Sequence, residues 1–167
     1  VSRTVTARDG SDLHLLEAGA GRPLVLLHGV TLQAGAWRYQ FELADRFRVV
    51  AVDLRGHGRS TVGSADYGLD PLAADLADVL IALDLRDAIV VGHSMGGMTA
   101  MRFARRHADV LAERVGALLL LSTSADPVLG FGTAGSLRRV AAAIQGPAER
   151  VGWERLPTIR PTESDLY

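Results

Sequence analysis

The stretch Val90-Val91-Gly92-His93-Ser94-Met95-Gly96-Gly97 constrains this chain more than any other. Ala88 to Val91 is an apolar run that reads as a short buried strand, and Met98 to His107 reads as a helix. Between them, Gly92-His93-Ser94-Met95-Gly96 has the G-x-S-x-G spacing of a serine carried on a sharp strand-to-helix turn. The spacing has a steric cause. Such a turn presses the strand and helix backbones together on both sides of the serine, where a glycine has no Cβ to clash. Gly92 and Gly96 stand two residues either side of Ser94, and the turn predicts a positive φ for the serine itself. The hydroxyl then projects beside the first turn of a helix, whose amides and dipole favour a developing negative oxygen.

The rest of the chain supports a sheet behind that turn. Thr4 to Ala7 and Leu13 to Leu16 flank Asp9-Gly10 and read as a hairpin, with His14 on its solvent side. Gly19-Ala20-Gly21 precedes a strand and lacks a third glycine, so it is no dinucleotide loop. Pro23 to Leu27 is continuously apolar, as in a strand buried on both faces, and ends in His28-Gly29-Val30. Trp37, Phe41, Ala44 and Phe47 line one face of a helix. Phe47 to Val52 is the next strand, closing on Asp53-Leu54-Arg55-Gly56-His57-Gly58-Arg59-Ser60. Asp70-Pro71 reads as a helix cap followed by proline at the first position, opening a stripe of Leu72, Leu76, Val79, Leu80 and Leu83. Met98, Met101 and Ala104 are expected on the inner face of the helix after the turn, and Val115 to Leu121 is one more strand. Strands alternating with amphipathic helices predict an α/β fold with a mostly parallel sheet. His28, Asp53, Ser94 and Ser122 then fall at strand carboxyl ends and share one rim, where ligands bind on such sheets.

Composition narrows the chemistry. A net charge of −1 with no basic block argues against a nucleic-acid partner, and no apolar run is long enough to span a membrane. Cysteine is absent, which excludes disulfides and thiolate metal sites; the expectation is a cytoplasmic protein with no cofactor and no metal. Lysine and asparagine are also absent while alanine, arginine and glycine abound, as expected of a high-GC bacterial genome.

Three motifs in this order, His28-Gly29, Asp53-x-Arg55-Gly56-His57-Gly58-x-Ser60 and the Ser94 turn, resemble the α/β-hydrolase superfamily. The resemblance covers residues 1–123 as the N-terminal part of the hydrolase core. Residues 124–167 resemble the start of a lid, cap or linker. It implies that Ser94 is the nucleophile and that the backbone N–H groups of Val30 and Met95 form the oxyanion hole. His28, Gly29, Asp53, Gly92 and Gly96 are then structural. Serine at the nucleophile position argues against haloalkane dehalogenase and epoxide hydrolase chemistry, for which the family uses aspartate. A small ester or related acyl compound is the expected substrate. A cofactor-free lyase, a haloperoxidase-like member and a non-catalytic binding module stay open.

The family's order of serine, acid, histidine is incomplete in this chain. Of the five histidines only His107 follows Ser94. Thirteen helical residues place it roughly 20 Å away, against the ~3 Å that a general base requires. His93 adjoins the serine, but on a turned strand its ring is expected on the other side. Asp126, just past the last strand, is a candidate acid that doubles as the turn residue Asp-Pro marks. The apolar Val115–Leu121 run would also be an open edge if the sheet stopped there. The chain is therefore expected to be the N-terminal part of a longer hydrolase and to self-associate through that edge.

Overall fold

The computed structural model describes residues 1–64 and 67–125. Their six strands form one sheet in the order β1-β2-β4-β3-β5-β6. β1 (Ser2–Thr6) and β2 (Asp12–Ala18) make the expected hairpin, turned at Gly10 with φ +84°. β2 continues antiparallel onto β4 (Phe47–Val52). From there β4, β3 (Arg22–Leu27), β5 (Ala88–His93) and β6 (Val115–Leu121) are mutually parallel. The chain is thus α/β with a mostly parallel sheet, as the sequence predicts.

Strand periodicity divides the core into two layers. On β3, Val25 and Leu27 face one side and Leu24 and Leu26 the other, and all four are buried. Val25, Leu27, Val50 and Val52 pack with Leu72, Leu76 and Leu80 of α1 (Leu69–Ala82) and Phe103 of α2 (Met95–Arg106). Leu24, Leu26, Val49 and Ala51 pack under Trp37, Phe41 and Ala44. Each such side chain contributes roughly 1.5–3 kcal/mol when fully buried, which is why the central strands read as unbroken apolar runs. A short α3 (Ala108–Arg114) leads into β6.

Four local expectations change. The Ala34–Asp45 segment is a 3₁₀ helix kinked at Trp37, not a regular α-helix. Its apolar residues recur at intervals of three and four, which either helix satisfies. His14 is buried rather than solvent-facing, because Ser2 and Asp53 close over its ring, each at 2.8 Å. Asp70 does not cap α1, which begins at Leu69 behind Gly68. Its carboxylate instead receives Arg102 Nε at 2.6 Å, Arg102 Nη2 at 2.7 Å and Arg106 Nε at 3.2 Å. Pro71 still sits in the first turn, where its missing N–H costs no helical bond. Finally, α2 begins at Met95, and its buried face is Met95, Thr99, Ala100 and Phe103; Met98, Met101 and Ala104 are half-buried. No helix among the described residues is long and apolar enough to cross a membrane.

Candidate active site

Ser94 occupies the junction between β5 and α2 at φ +51°, the left-handed region a non-glycine residue rarely enters. Crowding on either side explains the glycines. A Cβ on Gly92 would come within 2.5 Å of the Gly96 carbonyl oxygen, and one on Gly96 within 2.3 Å of Leu27 O. Gly97 is equally constrained, since a Cβ there would lie 2.6 Å from the Thr123 side chain. Across the rim, a Cβ on Gly29 would meet the His93 ring at 3.1 Å and Ser94 Cβ at 3.4 Å. The His28-Gly29 segment therefore packs directly on the Ser94 turn. His93 does not turn away from this rim as expected, because its ring lies against the same glycine.

Two amides beside Ser94 are aimed by the carbonyls that share their peptide planes. A trans peptide points its N–H opposite its C=O. The Ser94 carbonyl, in the plane of the Met95 amide, accepts from Gly97 N at 3.0 Å, Met98 N at 3.1 Å and Thr123 Oγ1 at 2.7 Å. This turns the Met95 N–H out of the helix, and as the first helical residue Met95 has no intrahelical acceptor. The Gly29 carbonyl, in the plane of the Val30 amide, accepts from Leu32 N at 3.0 Å and from His28 Nδ1 at 2.8 Å. The His28 tautomer is forced: Leu54 N–H donates to Nε2 at 3.0 Å, so the proton sits on Nδ1. Burial pushes the His28 imidazole down to about 4, with the neighbouring His57 and His93 rings adding to it and the Gly29 carbonyl and Asp53 opposing. His28 is a neutral, fully buried brace.

Asp53 is occupied by the scaffold. Oδ1 accepts Ala34 N at 2.6 Å; Oδ2 accepts Arg59 N at 3.0 Å and His14 Nδ1 at 2.8 Å. The Ser60 hydroxyl donates to Asp53 O and accepts from His14 N, at 2.5 and 2.9 Å. A Cβ on Gly58 would strike the Asp53 carboxylate at 2.3 Å, so this loop folds around its own aspartate. His57 packs across to the first loop, with Nε2 2.6 Å from Val30 O. His14 bonds Ser2 and Asp53, and His107 stacks on Phe103 at the end of α2. No hydrogen bond joins Ser94 to a histidine among the described residues. Asp126 and the expected 124–167 segment, apart from Ser124 and Ala125, lie outside the described residues.

The sequence reading missed Thr123, the His14–Asp53 pair and the His57–Val30 contact. The His57 contact carried a signal, since that histidine stands inside the Asp53–Ser60 motif, whereas nothing local pairs His14 with Asp53. Nothing near Thr123 distinguishes it from any residue after a strand.

Comparison with known proteins places this geometry. A non-heme chloroperoxidase from Kitasatospora aureofaciens is 44% identical over 104 residues, covering 61% of this chain and 38% of the relative. A non-heme haloperoxidase from Rhodococcus erythropolis is 38% identical over 130 residues, covering 74% of this chain and 47% of the relative. The chain thus spans less than half the length of these relatives. Among solved structures, an esterase from Exiguobacterium antarcticum superposes with a TM-score of 0.70 at 28% identity, covering 80% of this chain and 50% of that one. The family model for the alpha/beta hydrolase fold matches residues 22–165, and the chain belongs to that family.

Proposed function

We propose that this chain carries the nucleophile and the oxyanion amides of a serine hydrolase acting on a small ester or related acyl compound. The observation that carries the reading is Ser94 at φ +51° on the β5–α2 turn, packed against Gly29. In this mechanism Ser94 Oγ attacks the acyl carbon and its proton passes to a base. The Met95 and Val30 N–H groups stabilise the oxyanion. The leaving alkoxide departs with the proton, and water then hydrolyses the Ser94 ester. Among the described residues no histidine is hydrogen-bonded to Ser94, and this reading takes the base from outside them. Asp126 is the acid candidate within the chain.

A fluorophosphonate probe tests this. Without a base, labelling of Ser94 should run on the order of 10³-fold below that of a complete serine hydrolase, because general-base help contributes about 10²–10⁴. Ser94→Ala should abolish it. Labelling at the rate of a complete enzyme would sink the claim that the base is external, and labelling elsewhere would sink Ser94.

A second reading is favoured by the two haloperoxidase relatives. Hydrogen peroxide in place of water would accept the acyl group from Ser94, releasing a peracid and restoring the hydroxyl. Peracid formation from acetate and peroxide by the protein with its base in place, lost in Ser94→Ala, separates this outcome from ester hydrolysis alone.

A further inference from the structure

We infer that His57 is a positioning residue for the Val30 amide, so that the Asp53–Ser60 loop holds the oxyanion donor in place. The inference rests on the proposed role of Val30 in stabilising the oxyanion. Val30 lies between two peptide planes, and each is gripped by an imidazole. His28 Nδ1–H holds Gly29 O at 2.8 Å, which orients the Val30 N–H. His57 Nε2 holds Val30 O at 2.6 Å, in the plane of the following peptide. With both carbonyls fixed, neither φ nor ψ of Val30 is left to rotate, and its amide cannot swing away from the rim. The two rings meet edge to face with centroids 5.2 Å apart, so the grips are braced against each other.

The chemistry of the contact fixes the proton. A carbonyl oxygen only accepts, so His57 Nε2 must carry a hydrogen. Nδ1 lies 3.0 Å from Arg55 O. The Tyr67 hydroxyl donates to Arg55 O at 2.8 Å, and its oxygen packs against Nδ1 at 3.0 Å. Burial pushes the Tyr67 phenol up to about 12, so it keeps its proton at neutral pH and stays a donor. Tyr67 can approach because Gly56, at φ +70°, has no Cβ; one there would lie 2.7 Å from the ring. The glycine, the tyrosine and the histidine together form a strut from the second loop to the first.

Two measurements on the 167-residue chain test this. Long-range ¹⁵N NMR of the imidazoles should show His57 protonated at Nε2, and the Val30 amide peak should move or broaden in His57→Leu while that of Gly10 stays. An Nδ1–H ring, or an unmoved Val30 peak, overturns the inference. The second measurement is Ser94 phosphonylation under excess probe, with urea midpoints to confirm folding. Losing one oxyanion donor outright costs about 10²–10³ in rate; loosening it in His57→Leu should cost about tenfold. His57→Gln, whose amide can still donate to Val30 O, should recover most of it. An unchanged rate in folded His57→Leu overturns the positioning role. If wild-type Ser94 reacts no faster than a free serine amide, the nucleophile reading falls instead, and the NMR result alone decides whether His57 holds Val30.

Discussion

Gly96 approaches the carbonyl of Leu27 so closely that a Cβ on the glycine would lie 2.3 Å from that oxygen. The first turn of α2 is thereby seated on the end of β3, and Ser94 is held at the rim by the same contact. Gly96→Ala must push backbone from backbone, since no side chain can yield. It should cost about 1–3 kcal/mol, the range for overpacking, read as a lower urea midpoint. Gly35→Ala is the control, because nothing lies within 4 Å of a Cβ there. Equal midpoints for the two variants would show that the turn is not sterically set.

That contact also marks what was legible in the sequence. The six strands and the crowding that requires glycine at positions 92 and 96 follow from short-range steric and periodic rules, and the structure has both. The errors came where distant partners decide. Asp70 before Pro71 has the local look of a cap, but Arg102 and Arg106 on α2 take its carboxylate. His14 alternates with Leu13 and Leu15 as a solvent residue should, yet Asp53 from beyond β4 covers it. In α2 the methionines outweighed small residues in the reading, whereas close packing on the strands selected Thr99 and Ala100.

His28 predicts an acid sensitivity. Its native imidazole lies at about 4, below the ~6.5 of an unfolded histidine, so between those values the unfolded chain binds a proton that the native chain refuses. Stability from this group is complete above about pH 6.5 and falls as pH drops toward 4, by on the order of 3 kcal/mol in all. An NMR titration should find the His28 ring neutral at pH 5.5. A midpoint near 6.5 would refute the buried, neutral brace.

Arg55 ties the hairpin turn, the second loop and α1 together. Its guanidinium meets Asp75 at 2.8 and 2.6 Å and Asp9 at 2.5 Å, and its side chain is 2% exposed. Burial works against its charge, but the two carboxylates outweigh it and raise its proton affinity. Burial likewise raises Asp75, with Arg55 opposing. Arg55→Met leaves Asp75 buried without a partner and should cost about 3–5 kcal/mol. Adding Asp75→Leu should recover part of that loss in urea unfolding. A single variant within 1 kcal/mol of wild type, against that expected ~3–5, would show the network to be dispensable.

β6 carries the last prediction. It pairs with β5 along one edge, and no strand among the described residues pairs with the other. Leu118 packs on the core, whereas Leu119, Leu120 and Leu121 remain 44%, 43% and 43% exposed. A fully buried leucine is worth roughly 1.5–3 kcal/mol, so three half-covered ones leave several kcal/mol unclaimed beside an edge that no described strand pairs. Apolar side chains on an unpaired edge are a template for pairing with another chain. We propose that the 167-residue chain self-associates through this edge. Light scattering at micromolar concentration should give a mass above one chain, and Leu120→Arg, which sets a charge on the edge, should lower it. A stable, cooperatively unfolding monomer across that range would sink the proposal.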